Sequence, residues 1–121
     1  MIPVLMLEAI GPLVEGRAFH GTAAYDTPRP FVTIQQIGGE AVSFVDNARP
    51  SKINALVQVN CWGDSREQVY LLMLAIEDAL RASEAMVARP SGAMMDRDEP
   101  EQGMFGEQQD FSCWCDRPAP T

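Results

Sequence analysis

The chain of 121 residues is short of cationic side chains: a single lysine, Lys52, and a single histidine, His20, stand beside 17 carboxylates, and the net charge is -8. Affinity for a phosphate backbone rests on clustered Lys and Arg, so this balance argues against specific nucleic-acid binding. Cysteine is scarce and odd in number, which argues against a disulfide framework and fits a reducing compartment. Cys113 and Cys115 form C-x-C and Cys61 lies apart. Structural zinc takes four ligands, and the only further donor of the right kind is His20 in an unrelated segment, so the expectation is packing, with no metal and no cofactor. No local motif surrounds a Cys-His pair, and Gly38-Gly39 lacks the G-x-x-x-x-G-K pattern of a phosphate loop. A catalytic site is therefore not expected. No apolar run is long enough to cross a bilayer, and the stretch Ile2 to Met6, broken by Pro3 and closed by Glu8, has no basic region before it, so neither a secretory signal nor a membrane partner is expected.

The strongest positive signal is Ala55 to Ser83, where the hydrophobic period switches from two to about 3.6. Ala55, Val57, Val59 and Cys61 share one face of a strand, and Leu56, Gln58, Asn60 and Trp62 share the other. Gly63 turns the chain. Asp64 is expected to cap the helix that follows, with Glu67 reaching back as its capping-box partner. Val69, Leu72, Met73, Ile76 and Leu80 then recur at helical spacing, a stripe suited to packing on a sheet.

Elsewhere, Val4 to Ile10 reads as a short helix entered through Pro3, with Leu13 and Val14 adding a turn that Gly16 ends. His20 to Arg29 reads as a loop. Phe31 to Ile37 is a strand, and Glu40 to Val45 is expected to return as its hairpin partner. Asp46 to Lys52 reads as a connection rich in turn formers. Short strands are expected near Met86 to Ala88 and Ala93 to Met95, an irregular acidic loop over Asp96 to Gly106, and a closing strand over Gln109 to Cys115. The fold class that follows is α+β, an antiparallel β-sheet with one long and one short helix packed on one side, as one domain over 1–116 with a flexible tail at 117–121.

Within this frame, V-Q-V-N-C-W-G-D-S-R-E-Q-V followed by a long amphipathic helix resembles the tail completion or tail terminator family of tailed bacteriophages. G-R-A-F at Gly16 to Phe19, P-F-V-T-I-Q-Q-I-G-G at Pro30 to Gly39 and Q-D-F-S-C-W at Gln109 to Trp114 extend the likeness in the family's order. The resemblance implies a structural phage or prophage protein without enzymatic activity. It would form a ring, six copies by the family's habit, that caps the head-proximal end of the tail tube, ends its elongation and presents the head docking surface. The implied partners are further copies of the chain, the major tail tube protein and the head-tail connector. The implied setting is the host cytoplasm during assembly and then the head-tail junction of the virion. Two alternatives remain at this stage: a head-tail joining protein of the same region, and a small cysteine-dependent enzyme or ligand-binding module.

Two groups of residues are candidates for assembly. Asp46, Asn47, Arg49 and Lys52 form a connection that either stays mobile or, as the resemblance suggests, reaches a neighbouring subunit. Met86, Met94, Met95, Met104 and Phe105 are large apolar residues in aperiodic segments, the kind that mark contact surfaces; Met104 and Phe105 are the main candidates. Phe31, Phe44, Trp62 and Trp114 are expected in the core or half-buried, some of them anchoring an interface. From Met94 to Asp110, six carboxylates stand against Arg97 alone and supply five of the eight net negative charges. Asp98, Glu99 and Glu101 are expected on a solvent or channel surface, with ordinary acidities, because six like-charged copies would repel if buried together.

Overall fold

A twelve-residue strand, β3 (Lys52–Gly63), is the spine of the molecule in the computed structural model, which describes residues 1–119. Before it come α1 (Ile2–Ile10), a 3-10 turn (Gly11–Val14), β1 (Ala18–His20) and β2 (Phe31–Gly38). After it come α2 (Arg66–Arg81), β4 (Val87–Pro90), β5 (Met95–Asp96), a 3-10 turn (Pro100–Gln102) and β6 (Phe105–Asp116). The sheet order is β1-β2-β3-β6-β4, and β5 also pairs with β6. The class is the α+β one expected. The sheet is mixed, however, because β1 runs parallel to β2, with Ala18 opposite Val32.

The alternation read from the sequence holds along β3. Ala55, Val57, Val59 and Cys61 are buried against Val32 and Ile34 of β2 and against Phe111, Cys113 and Cys115 of β6. Both helices cover this face: α1 and its following turn supply Ile2, Met6, Ile10 and Val14, while α2 supplies Val69, Met73, Ile76 and Leu80. Each such side chain contributes roughly 1.5–3 kcal/mol of burial. The opposite face carries Gln35, Gln58, Asn60, Gln108, Asp110 and Ser112 in register and has no helix over it.

Three local expectations are corrected. The helix cap is Ser65, whose hydroxyl accepts from the amide of Gln68, while the Gln68 side chain accepts from the amide of Asp64 at 2.7 Å. Asp64 is engaged elsewhere, by Arg29 at 3.2 Å, so the capping box is Ser65 and Gln68 instead of Asp64 and Glu67. Glu40–Val45 forms no strand: β2 ends at Gly38 and pairs with β3 across a long connection, and Gly39 follows at φ +142, where a side chain would meet the backbone of Asn54 and Ala55. Finally, β6 begins at Phe105, so the last two residues of the expected acidic loop, Phe105 and Gly106, belong to the strand, which starts four residues before Gln109. Residues 117–119 are exposed and lack regular structure; the rest of the expected tail, 120–121, lies outside the described residues.

Candidate assembly interface

The sheet has two unlike ends. At the first, β2 passes to β3 through residues 39–51. Their tip is a defined turn, with the Asn47 amide donating to the Phe44 carbonyl at 3.0 Å, the Ala48 amide donating to Asp46 Oδ1 at 3.0 Å, and Asn47 at φ 59. Arg49 donates to the Pro118 carbonyl, and Lys52, which belongs to β3 and not to the connection, pairs with Asp116. The turn holds Phe44, 53% exposed, and Val45, fully exposed. Phe44 is therefore no core residue, which leaves the other place expected for these aromatics, an interface. Two large apolar side chains held out on a fixed turn are a stronger contact signal than the polar residues around them.

At the other end, the acidic segment is built into the subunit by two arginines. Arg66, in the first turn of α2, reaches Asp96 at 3.1 Å, Asp98 at 2.6 Å and Glu107 at 3.4 Å, and its guanidinium lies 5.2 Å from the centre of the Phe105 ring. Arg29 donates to the carbonyls of Gln102 at 2.6 Å and Gly103 at 3.2 Å. Asp98 also accepts from the Gly106 amide at 3.1 Å. Two carboxyls here, Asp98 and Glu107, depart from the ordinary acidities expected. The Arg66 hydrogen bond, helped by the Gly106 N–H, holds the Asp98 carboxyl below its usual range. Glu107 is 1% exposed, opposite Cys61 on the inner face. Desolvation raises its pKa, Asp96 adds to the rise, and Arg66 opposes it. Asp98 is thus tied into the subunit although it lies at the surface; Glu101 is exposed and Glu99 is half-buried.

These shifts set a pH dependence. Glu107 is raised above its ordinary 4.5, so its contribution to stability is full below that value and is lost as pH rises through the folded-state value. Asp98 is lowered from 3.8, so its contribution holds above 3.8 and is lost as pH falls through the lower folded value. Glu107→Gln should therefore melt above the unsubstituted protein at pH 7. The gap should close as pH approaches 4.5, and both proteins should lose stability below 3.8. Thermal melts across pH 3 to 8 check this.

The set of apolar candidates divides. Met86 and Met104 are buried, Met104 at 7%, so neither is the exposed contact expected; Met95 and Phe105 keep exposed area. Met104 instead closes one side of a groove of about 390 Å³ on the helix-free face. Phe31 and Trp62 form its floor, their ring centroids 5.2 Å apart, with Thr33 beside them. Gly21–Tyr25 and Glu99 form the walls. Tyr25 is 91% exposed, and the Trp62 indole N–H makes no hydrogen bond within the subunit. The sequence signal that was available is an aromatic, Tyr25, in a loop with no other large apolar residue around it.

The three thiols lie on the inner face of the sheet. Cys61 faces Glu107 while Cys113 faces Ala55, six positions away along the same strand pair, about 20 Å, too far for a disulfide. All three are buried and free. Burial pushes the Cys61 thiol up to about 12 and the Cys113 thiol up to about 11, the reverse of an activated nucleophile. Changing all three to Ala should cost roughly 1–3 kcal/mol in chemical denaturation, and thiol reagents should label the unsubstituted protein only as it unfolds.

The family profile described as Tail completion protein gp17 matches residues 5–116. No curated protein matches the sequence. Solved structures from Akkermansia muciniphila align with it. One is a crystal structure at 8% identity and TM-score 0.49, covering 95% of this chain and 49% of that one. Another, solved without its transmembrane region, aligns at 11% identity and TM-score 0.37, covering 72% of this chain and 47% of that one. The chain spans about half the length of these structures.

Proposed function

The chain belongs to the tail completion protein gp17 family, structural proteins of bacteriophage tails, and from that premise we propose that it closes the head-proximal end of the tail tube as a ring. The family match across residues 5–116 carries this reading. In it, the ring stops addition of the major tail tube protein and offers the surface on which the head-tail connector docks. Six copies assemble in the host cytoplasm and remain at the head-tail junction. Support from the molecule itself is the placement of uncovered apolar side chains at both ends of one sheet, Phe44 and Val45 at one and Tyr25 and Phe105 at the other. A surface of this kind needs covering in the working state. The connection holding Asp46, Asn47 and Arg49 reaches a neighbouring copy, and Glu101 faces solvent or the DNA channel, where repulsion keeps the genome from adhering.

Light scattering across a wide concentration range tests self-association. A mass of six chains at high concentration is the expected result. A strict monomer throughout would leave the ring without support in the free protein.

A further inference from the structure

We propose that the Phe44-Val45 turn of one copy plugs into the groove lined by Tyr25, Phe31, Trp62 and Met104 on the next copy, making the ring contact head-to-tail. The inference rests on the self-association proposed above and adds which surfaces meet.

The groove offers aromatic faces and a thioether, the chemistry that receives a phenyl ring and a branched aliphatic side chain. Phe44 and Val45 are held ready by the Asp46-Asn47 turn, so little ordering is required on docking. Both signs of charge are present on each side: exposed Asp46 and Arg49 follow the plug, while Glu99 stands at the groove wall and Arg29 holds the carbonyl of Gln102 beside it.

A subunit cannot fill its own groove. Gly39 leaves the sheet at the level of Ala55, and Trp62 lies seven residues further along β3, about 24 Å away. The connection also runs the other way, since Arg49 reaches Pro118 beyond the end of β6. A donor surface at one end of the sheet and an acceptor at the other form a heterologous pair, and repeated heterologous contacts close into a ring when the rotation allows.

Two variants test this, Phe44→Ser with Val45→Ser for the plug and Tyr25→Ala with Glu99→Lys for the groove; Phe44, Val45 and Tyr25 are exposed and Glu99 is half-buried, and circular dichroism checks folding. In sedimentation velocity each variant alone should weaken assembly at least tenfold. Mixed, they should form one-to-one pairs that grow no further, because the plug variant keeps its groove and the groove variant keeps its plug. Rings from the plug variant equal to those of the unsubstituted chain would overturn the proposal and leave the ring itself standing. Should the unsubstituted chain stay monomeric, the ring reading fails, and a labelled peptide copy of residues 39–51 decides the groove. Saturable binding that the groove variant loses supports it, and no binding overturns it.

Discussion

Phe111→Ala should remove about 3–5 kcal/mol of stability, the range for truncating a fully buried aromatic. Phe111 is the largest fully buried side chain, placed mid-strand in β6 opposite Val57 and in the core cluster that α1 and α2 supply. It pairs on its other side with Pro90 of β4, so two elements hold the walls of the void apart. Collapse cannot close it. A domain of this size has a total stability of roughly 5–15 kcal/mol, so the variant should sit close to its unfolding threshold. Urea denaturation should show a midpoint far lower at nearly unchanged slope.

Gly106→Ala should produce the second-largest loss, roughly 3 kcal/mol, at the top of the usual cost of overpacking. A methyl group there would lie 2.1 Å from the Arg97 carbonyl oxygen and 2.9 Å from the Trp62 ring. The Arg97 contact is backbone and cannot swing aside. Relief would need the acidic segment to move away from β6, breaking the 2.8 Å bond from the Arg97 amide to the Gly106 carbonyl and the grip of Asp98 on the Gly106 amide. Because Trp62 floors the groove, the variant should also lose assembly at concentrations where it remains folded. Thermal melts alongside sedimentation separate the two effects.

The parts of the fold legible in the sequence are those where periodicity is long and local. The β3-α2 unit was readable from its switch in period, and the faces of β3 and the stripe of α2 follow it residue by residue. Its cap was misread because Asp64 and Ser65 both start a capping-box pattern, and a distant residue, Arg29, decides between them by engaging Asp64. Strand pairing is likewise non-local. Glu40–Val45 looked like the nearest partner for β2, but the longer β3 offers a full apolar face.

The site was less legible, for a related reason. Carrying the alternation of Phe111, Cys113 and Cys115 back by two steps places Gln109 and Glu107 on the inner face, yet their polarity hides the pattern. The acidic segment reads as a loose loop until Arg66 and Arg29 are seen to meet it from elements 30 or more residues earlier in the chain. Met104 is buried by contacts that no local pattern announces. Residue type alone leaves Phe44 between the interior and an interface, and its neighbours supply no periodicity that would bury it.

The central claim is that this protein ends tail growth. Electron microscopy of tails from a phage carrying a stop codon in this gene, with and without the purified protein added back, tests it most directly. Without the protein, tubes of uneven, excessive length and no joined heads are expected, and tubes of uniform length that join heads when it is restored. Uniform tubes that join heads in its absence would contradict it.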